Sequence, residues 1–175
     1  FEIDALGGEM GYAADKVTLQ SRTLNLGKGA AVHSKRVQAD RRKYQKIMKQ
    51  TLENTENLRL IQAEIREILT VDCEGTYSKK IVGVKTHLGE IWECEAVIIA
   101  AGTYLESAVF VGDVNYPSGP DALLPSRGLS SSLAEAGVKI VRFKTGTPVR
   151  VKRSTIDFSS LEVQEGEEIA MPYSW

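Results

Sequence analysis

The run Ala96-Val97-Ile98-Ile99-Ala100-Ala101, closed by Gly102-Thr103, is the segment that most narrows what this chain can fold into. It is apolar without alternation, so it reads as a buried strand running into a Gly-Thr loop, a common closing element of nucleotide-cofactor folds. The opening residues Phe1-Glu2-Ile3-Asp4-Ala5-Leu6-Gly7-Gly8 begin in the middle of an apolar, helix-like pattern, with no initiator Met and no preceding strand. That pattern reads as a piece of a larger protein.

Composition bounds the class. At 175 residues, 42% hydrophobic and 26% charged, there is apolar material for one sizeable core, or for one domain and the beginning of another. A net charge of −1 gives no global attraction to nucleic acid, so any basic surface must be local. No apolar run approaches the roughly 20 residues that span a bilayer, and no signal-peptide pattern opens the chain. The expectation is a cytoplasmic protein with no membrane contact. Cys73 and Cys94 form no CxxC pair, and His33 and His87 stand alone, so no metal site is expected and the thiols read as structural or incidental.

Periodicity predicts a short helix over residues 1–15, interrupted by glycines, then a strand over 17–24 and a glycine-bearing loop from Asn25 to Ser34. A helix is predicted between Arg36 and Glu53, with Val37, Tyr44, Ile47, Met48 and Leu52 on one face. Strands are predicted over 58–61 and 65–71, and a hairpin over 81–94 around His87-Leu88-Gly89. After Gly102 comes an irregular Gly/Pro stretch, then a Ser-capped helix over 130–136 stopped by Gly137. Strands over 138–143 and 149–152 flank a Thr145-Gly146-Thr147-Pro148 corner, and an acidic irregular tail follows.

Two basic stretches stand against the neutral total. Between Lys28 and Lys49 there are eight Lys or Arg against Asp40 alone, and between Lys139 and Arg153 six with no acid. They could meet phosphates of a dinucleotide or of RNA, or form solvated faces balanced in space by Asp157 to Glu168. Arg36 and Asp40, four apart on the predicted helix, would form a surface pair. Gly102-Thr103 is either a ligand-approach loop or a strand-ending turn, and Ser126 either a ligand hydroxyl or a helix-start residue. Trp92 and Trp175 read as packing residues. No carboxylate pair, Ser-His-Asp set or GxGxxG motif is present, so the residues by themselves give an α/β piece with candidate anion sites.

A series of strings in fixed order says more. Glu2-Ile3-Asp4-Ala5-Leu6-Gly7-Gly8, Gln38-Ala39-Asp40-Arg41 with Tyr44, Leu52-Glu53-Asn54, Gly102-Thr103-Tyr104-Leu105, Lys144-Thr145-Gly146-Thr147-Pro148 with Arg150, and Ile156-Asp157-Phe158-Ser159 together resemble the GidA/MnmG family. These are flavoproteins that help install the carboxymethylaminomethyl group on the wobble uridine of certain tRNAs, and the resemblance runs over essentially the whole chain.

The resemblance implies an α/β fold: part of a two-dinucleotide-binding, Rossmann-like FAD domain with a three-stranded antiparallel meander, plus the start of an inserted α/β domain. Residues 1–143 would be the incomplete FAD-binding domain and 144–175 the start of the NADH-associated one. Ile65 would meet FAD through its backbone, Ser126 would contact it, and Gly102 and Thr103 would lie beside it. Lys28, Gly29, Arg36, Gln38 and Asp40 would line the flavin and substrate cleft, with Lys144 and Arg150 as further candidates for tRNA contact. The implied activity uses FAD, NADH and methylene-tetrahydrofolate on tRNA, in a homodimer with an MnmE-type GTPase partner; this piece alone would be inactive, and neither cysteine matches a catalytic position. Ala30 and Val149 replace family prolines, and Pro120-Asp121-Ala122-Leu123-Leu124-Pro125 stands where the family has Arg-x-Gly-acid-Pro-Pro, so a flavin-pocket arginine is missing at Pro120. Two other readings fit: a folate- and FAD-dependent tRNA uridine C5-methyltransferase, and a non-enzymatic RNA- or partner-binding module.

Overall fold

Alternation from Val17 to Leu24 does produce a strand, but its partner lies where the helix was predicted to begin. A computed structural model of the chain describes residues 2–75, 78–146, 148–168 and 171–175. Residues group into two units, 1–60 with 149–175, and 61–148.

In the first unit, α1 (Glu2–Ala5) and α2 (Met10–Asp15) are separated at Gly7, whose φ of +82° a side chain would resist. Strands β1 (Thr18–Leu24) and β2 (Ser34–Ala39) pair antiparallel, from Leu24 opposite Ser34 to Thr18 opposite Ala39. Helix α3 (Arg41–Asn54) starts only after Asp40. Asp40 is extended, at φ −66° and ψ 103°, and its carboxylate accepts the backbone N–H groups of Arg42 and Lys43 at 3.0 and 3.1 Å. This N-cap ends β2 and starts the helix, which corrects the helix predicted from Arg36 and removes the Arg36–Asp40 surface pair. Val37 consequently belongs to the sheet, whereas Tyr44, Ile47 and Met48 keep the predicted half-buried helix face. Asp40→Ala is expected to lower stability by about 1 kcal/mol, read as a fall in the thermal midpoint at constant tail contacts.

The tail closes this unit. The Glu167 carboxylate takes hydrogen bonds from Lys35 Nζ at 2.6 Å and Thr23 Oγ1 at 2.5 Å, and its own N–H donates to Ser21 O at 2.9 Å. Asp15 accepts the N–H groups of Tyr173 and Ser174 at 2.8–2.9 Å. The Lys35 ammonium, and next the Thr23 hydroxyl, hold Glu167 below its ordinary value of 4.5. A carboxylate depressed on folding stabilises fully above its unfolded pKa and loses that contribution as pH falls through the folded one. Proteolysis of the tail is therefore expected to accelerate only as pH drops below about 4.5, the unfolded value, and Glu167→Gln should flatten that dependence.

The second unit is built on the predicted meander. Strands β3 (Ile65–Asp72), β4 (Lys79–Thr86) and β5 (Ile91–Glu93) form an antiparallel sheet in the order β3-β4-β5. A second hairpin, β6 (Ala108–Val111) with β7 (Val114–Pro117), occupies part of the stretch expected to be irregular. Gly112 at φ +59° makes its turn. Helix α4 (Leu129–Glu135) lies against β3 and buries Leu129, Ser132 and Leu133, the i, i+3, i+4 stripe that faces a sheet. Its N-cap is Gly128 at φ +89°, with no side-chain cap, so the Ser-capped start is corrected; Gly137 at φ +94° ends it as expected. Ser132 Oγ instead accepts the N–H of Ile68 at 2.8 Å and fastens the helix to the sheet. Ser132→Ala would leave that buried donor unmatched, and a loss of about 1–3 kcal/mol is expected in denaturant titration.

Four predicted strands are not strands. Residues 58–61, 96–101, 138–143 and 149–152 lie in no sheet among the described residues. Each is apolar enough for a strand, but a strand exists only beside a neighbour that takes its N–H and C=O groups. No described segment supplies that edge, and Ile98, predicted buried, is 93% exposed. Thr147 of the Thr-Gly-Thr-Pro corner, and Phe1, lie outside the described residues.

Candidate functional site

A cavity of about 590 Å³ opens in the second unit between β3, the irregular segment 97–101 and the turn before α4. Its walls are mostly aliphatic: Ile65, Ile68 and Val84 from the meander, Val97 to Ala101, and Leu124, Pro125 and Leu129. Ile65 and Ser126, both singled out in the sequence, line it together. Ile65 begins β3 at an irregularity in its pairing with β4. Such a bulge turns a backbone group out of the ladder.

Ser126 is held by its main chain. Its N–H donates to Tyr104 O and its carbonyl accepts from Glu106 N, both at 2.9 Å, forming an isolated parallel bridge beside Leu105. The helix cap being Gly128, Ser126 does not cap α4. Its hydroxyl is left for the cavity. Gly102 and Thr103 do not line the wall; Ala101 and Tyr104 on either side do, and Gly102, at φ +54°, makes the turn between them.

Three residues that sequence reasoning did not single out shape this site. Glu64 is the only charged residue on the wall among the described residues. Tyr104 covers Gly119 so closely that a Cβ there would lie 2.6 Å from its ring. Glu106, at φ +43°, accepts the Gly128 N–H at 2.9 Å on its carboxylate and an Arg142 Nη1 bond at 3.1 Å on its carbonyl. Tyr104 was visible only as part of the Gly102-Thr103-Tyr104-Leu105 string. For Glu64 and Glu106 the sequence offers no signal, since one matters by where a loop puts it and the other by a strained backbone.

Asp121 and Ala122, at φ +55° and +61°, sit in the left-handed region on the same turn. A side chain there costs about 1 kcal/mol or more relative to glycine. The family glycine expected at Ala122 thus has a conformational reason, and Ala122→Gly is expected to raise the thermal midpoint by the equivalent of about 1 kcal/mol.

The walls fit one part of a flavin dinucleotide better than another. Aliphatic surface, a free hydroxyl and a carboxylate suit rings and ribose hydroxyls. Among the described residues, nothing on the wall offers the cationic or glycine-rich N–H cradle that a diphosphate needs.

The second group of candidates lies in the first unit. Lys28 and Gly29 precede a one-turn 3₁₀ segment, Ala30–Val32, with His33 Nε2 3.1 Å from Lys28 O. Arg36 and Gln38 stand on β2 opposite Arg22 and Gln20. Asp40 is spoken for as the α3 cap. Lys144 and Arg150 are exposed, outside helix and strand, and neither lines the cavity.

The sequence model of the family described as "Glucose inhibited division protein A" matches residues 1–175. This chain belongs to that family. It is 51% identical over 174 residues to the tRNA uridine 5-carboxymethylaminomethyl modification enzyme MnmG of Clostridium novyi, covering 99% of this chain and 27% of that protein. The MnmG of Finegoldia magna is 49% identical over the same spans. The crystal structure of Aquifex aeolicus GidA (form I) superposes with a TM-score of 0.83 at 42% identity, over 99% of this chain and 28% of that one. The GidA-family chain thus spans about a quarter of the length of the curated relatives it matches, and its α/β architecture with the antiparallel meander is the family's.

Proposed function

We propose that this chain is part of an FAD-dependent enzyme that adds a carboxymethylaminomethyl or aminomethyl group to C5 of the wobble uridine of tRNA. The observation that carries the reading is the meeting of Ile65 and Ser126 on one cavity wall, in a chain whose relatives are named as tRNA uridine 5-carboxymethylaminomethyl modification enzymes.

The cavity residues would hold the non-phosphate part of the flavin: Ile65 by its backbone, Ser126 by its hydroxyl, and the aliphatic wall by excluding water. When bound, the flavin supplies the redox chemistry that joins a one-carbon unit from methylene-tetrahydrofolate to the uridine, with NADH as reductant. The exposed cations Lys28, Arg36, Lys144 and Arg150 are candidates to neutralise tRNA phosphates. Gly29 lets the main chain come close to a ligand, and Gln38 offers an amide to it. Residues 1–143 belong on this reading to the FAD domain and 144–175 to the start of the NADH-associated one. The working enzyme is a cytoplasmic homodimer that acts with an MnmE-type GTPase.

Titration of the protein with FAD, followed by its visible absorption, tests the cavity. Saturable binding is expected, weakened about tenfold by Ser126→Ala if one hydrogen bond is lost. Absence of any flavin binding would contradict the assignment.

A further inference from the structure

The β1–β2 hairpin divides its charges between two faces. Thr23 and Lys35, opposite each other, face Glu167, which balances the lysine. On the other face Arg22 stands directly opposite Arg36, flanked by the pair Gln20 and Gln38. Like charges placed opposite each other in a sheet repel unless something of opposite sign lies between them. No carboxylate forms an ion pair with either arginine among the described residues, and Arg22 Nη1 is shut off from solvent without a hydrogen-bond partner. Arg36 is exposed and Arg22 half-buried, so the face can be reached at Arg36 and at the part of Arg22 away from Nη1.

We propose that Arg22 and Arg36 form a two-guanidinium clamp for a phosphate group of a ligand. Planar forks carried at directly opposite strand positions suit the oxygens of a phosphate, which would supply the negative charge that this face lacks. Gln20 and Gln38 add amide groups that could bond a sugar or base next to that phosphate, although Gln20 also donates to Gln164 O at 3.0 Å. Glu167 does not serve this face, because it is committed to Lys35, Thr23 and the edge of β1. The clamp deepens the proposed function by naming a site for a phosphate, and it rests on that reading only for the source of the group.

The test uses Arg22→Gln, Arg36→Gln, the charge-preserving Arg22→Lys, and Lys85→Gln on the meander as a charge control. Inorganic phosphate is expected to raise the thermal midpoint of the parent protein and of Lys85→Gln, and to leave both glutamine variants unmoved. Arg22→Lys should show an intermediate shift, since it keeps the charge and loses the fork. Relief of repulsion should leave the variants no less stable without phosphate, which separates lost binding from lost folding. Two further titrations identify the source. If tRNA binding falls about tenfold and its salt slope drops by about one per arginine, the group is an RNA phosphodiester. If NADH binding falls instead, it is a dinucleotide phosphate. A full phosphate shift in both glutamine variants, with tRNA and NADH binding unchanged, overturns the clamp. Phosphate protection through the arginines in a protein that takes no FAD would sustain the clamp while the flavin reading fails.

Discussion

Leu133→Ala is expected to lower the unfolding free energy by about 2–5 kcal/mol, the range for deleting a buried leucine whose site collapses only in part. Leu133 is 7% exposed and, with Leu129, is one of the few apolar side chains buried in the meander unit. Val84 is another, and it lines the same cavity as Leu129 does from the helix side. Loss of the leucine should therefore loosen α4 from β3 and widen the site. Urea titration of parent and variant gives the energy, and hydrogen exchange at the Ile68 N–H, which α4 protects through Ser132, gives the location. A loss under 1 kcal/mol, with unchanged exchange at Ile68, would show that α4 is not what holds this wall.

Gly83→Val should do comparable damage by a different route. A Cβ at Gly83 would stand 2.7 Å from Trp92 O and 3.4 Å from Glu93 Cα, both backbone atoms of the neighbouring strand. Flexible side chains can yield to such a contact, but here β5 itself must move. That strand has a short register with β4, pairing Gly83 with Glu93, Val84 with Trp92 and Lys85 with Ile91. The expected cost is about 1–3 kcal/mol, as for overpacking, with loss of β4–β5 amide protection and little change in β3–β4. Gly83→Ala places the same Cβ and should show most of the effect. Retained protection of β5 in both variants would contradict this geometry.

What the sequence could say depended on whether an element's partners are near it in the chain. The hairpin predicted over 81–94 and the end of α4 at Gly137 were legible because turn and stop residues act locally, and the hairpin's two strands adjoin each other. Residues 36–39 of β2 were assigned to the helix because Arg36 and Val37 fit its pattern, and Ser34 to the loop before it. The deciding fact was Asp40 as an N-cap, and a polar residue before an apolar-periodic run was the available signal. The 96–101 run was legible as strand material from composition. Its ladder is another matter, because the hydrogen-bonding neighbours of a strand are not written in its own residues. The same holds for 138–143, where Phe143 is 84% exposed.

The site was legible in the same uneven way. Ile65 and Ser126 came from resemblance, and the fold sets them on one wall. Asp40, expected to line a cleft, is occupied with backbone N–H groups. The Arg22–Arg36 apposition could not be read from spacing while β2 was taken for a helix, because only an antiparallel register brings the two side chains together.

The central claim is that the protein modifies tRNA uridine, and nucleoside mass spectrometry of tRNA from cells that lack it tests this most directly. The account predicts loss of the carboxymethylaminomethyl and aminomethyl groups from wobble uridine, restored by the parent gene and reduced with Ser126→Ala. An unaltered wobble-uridine profile in cells without the protein would contradict it.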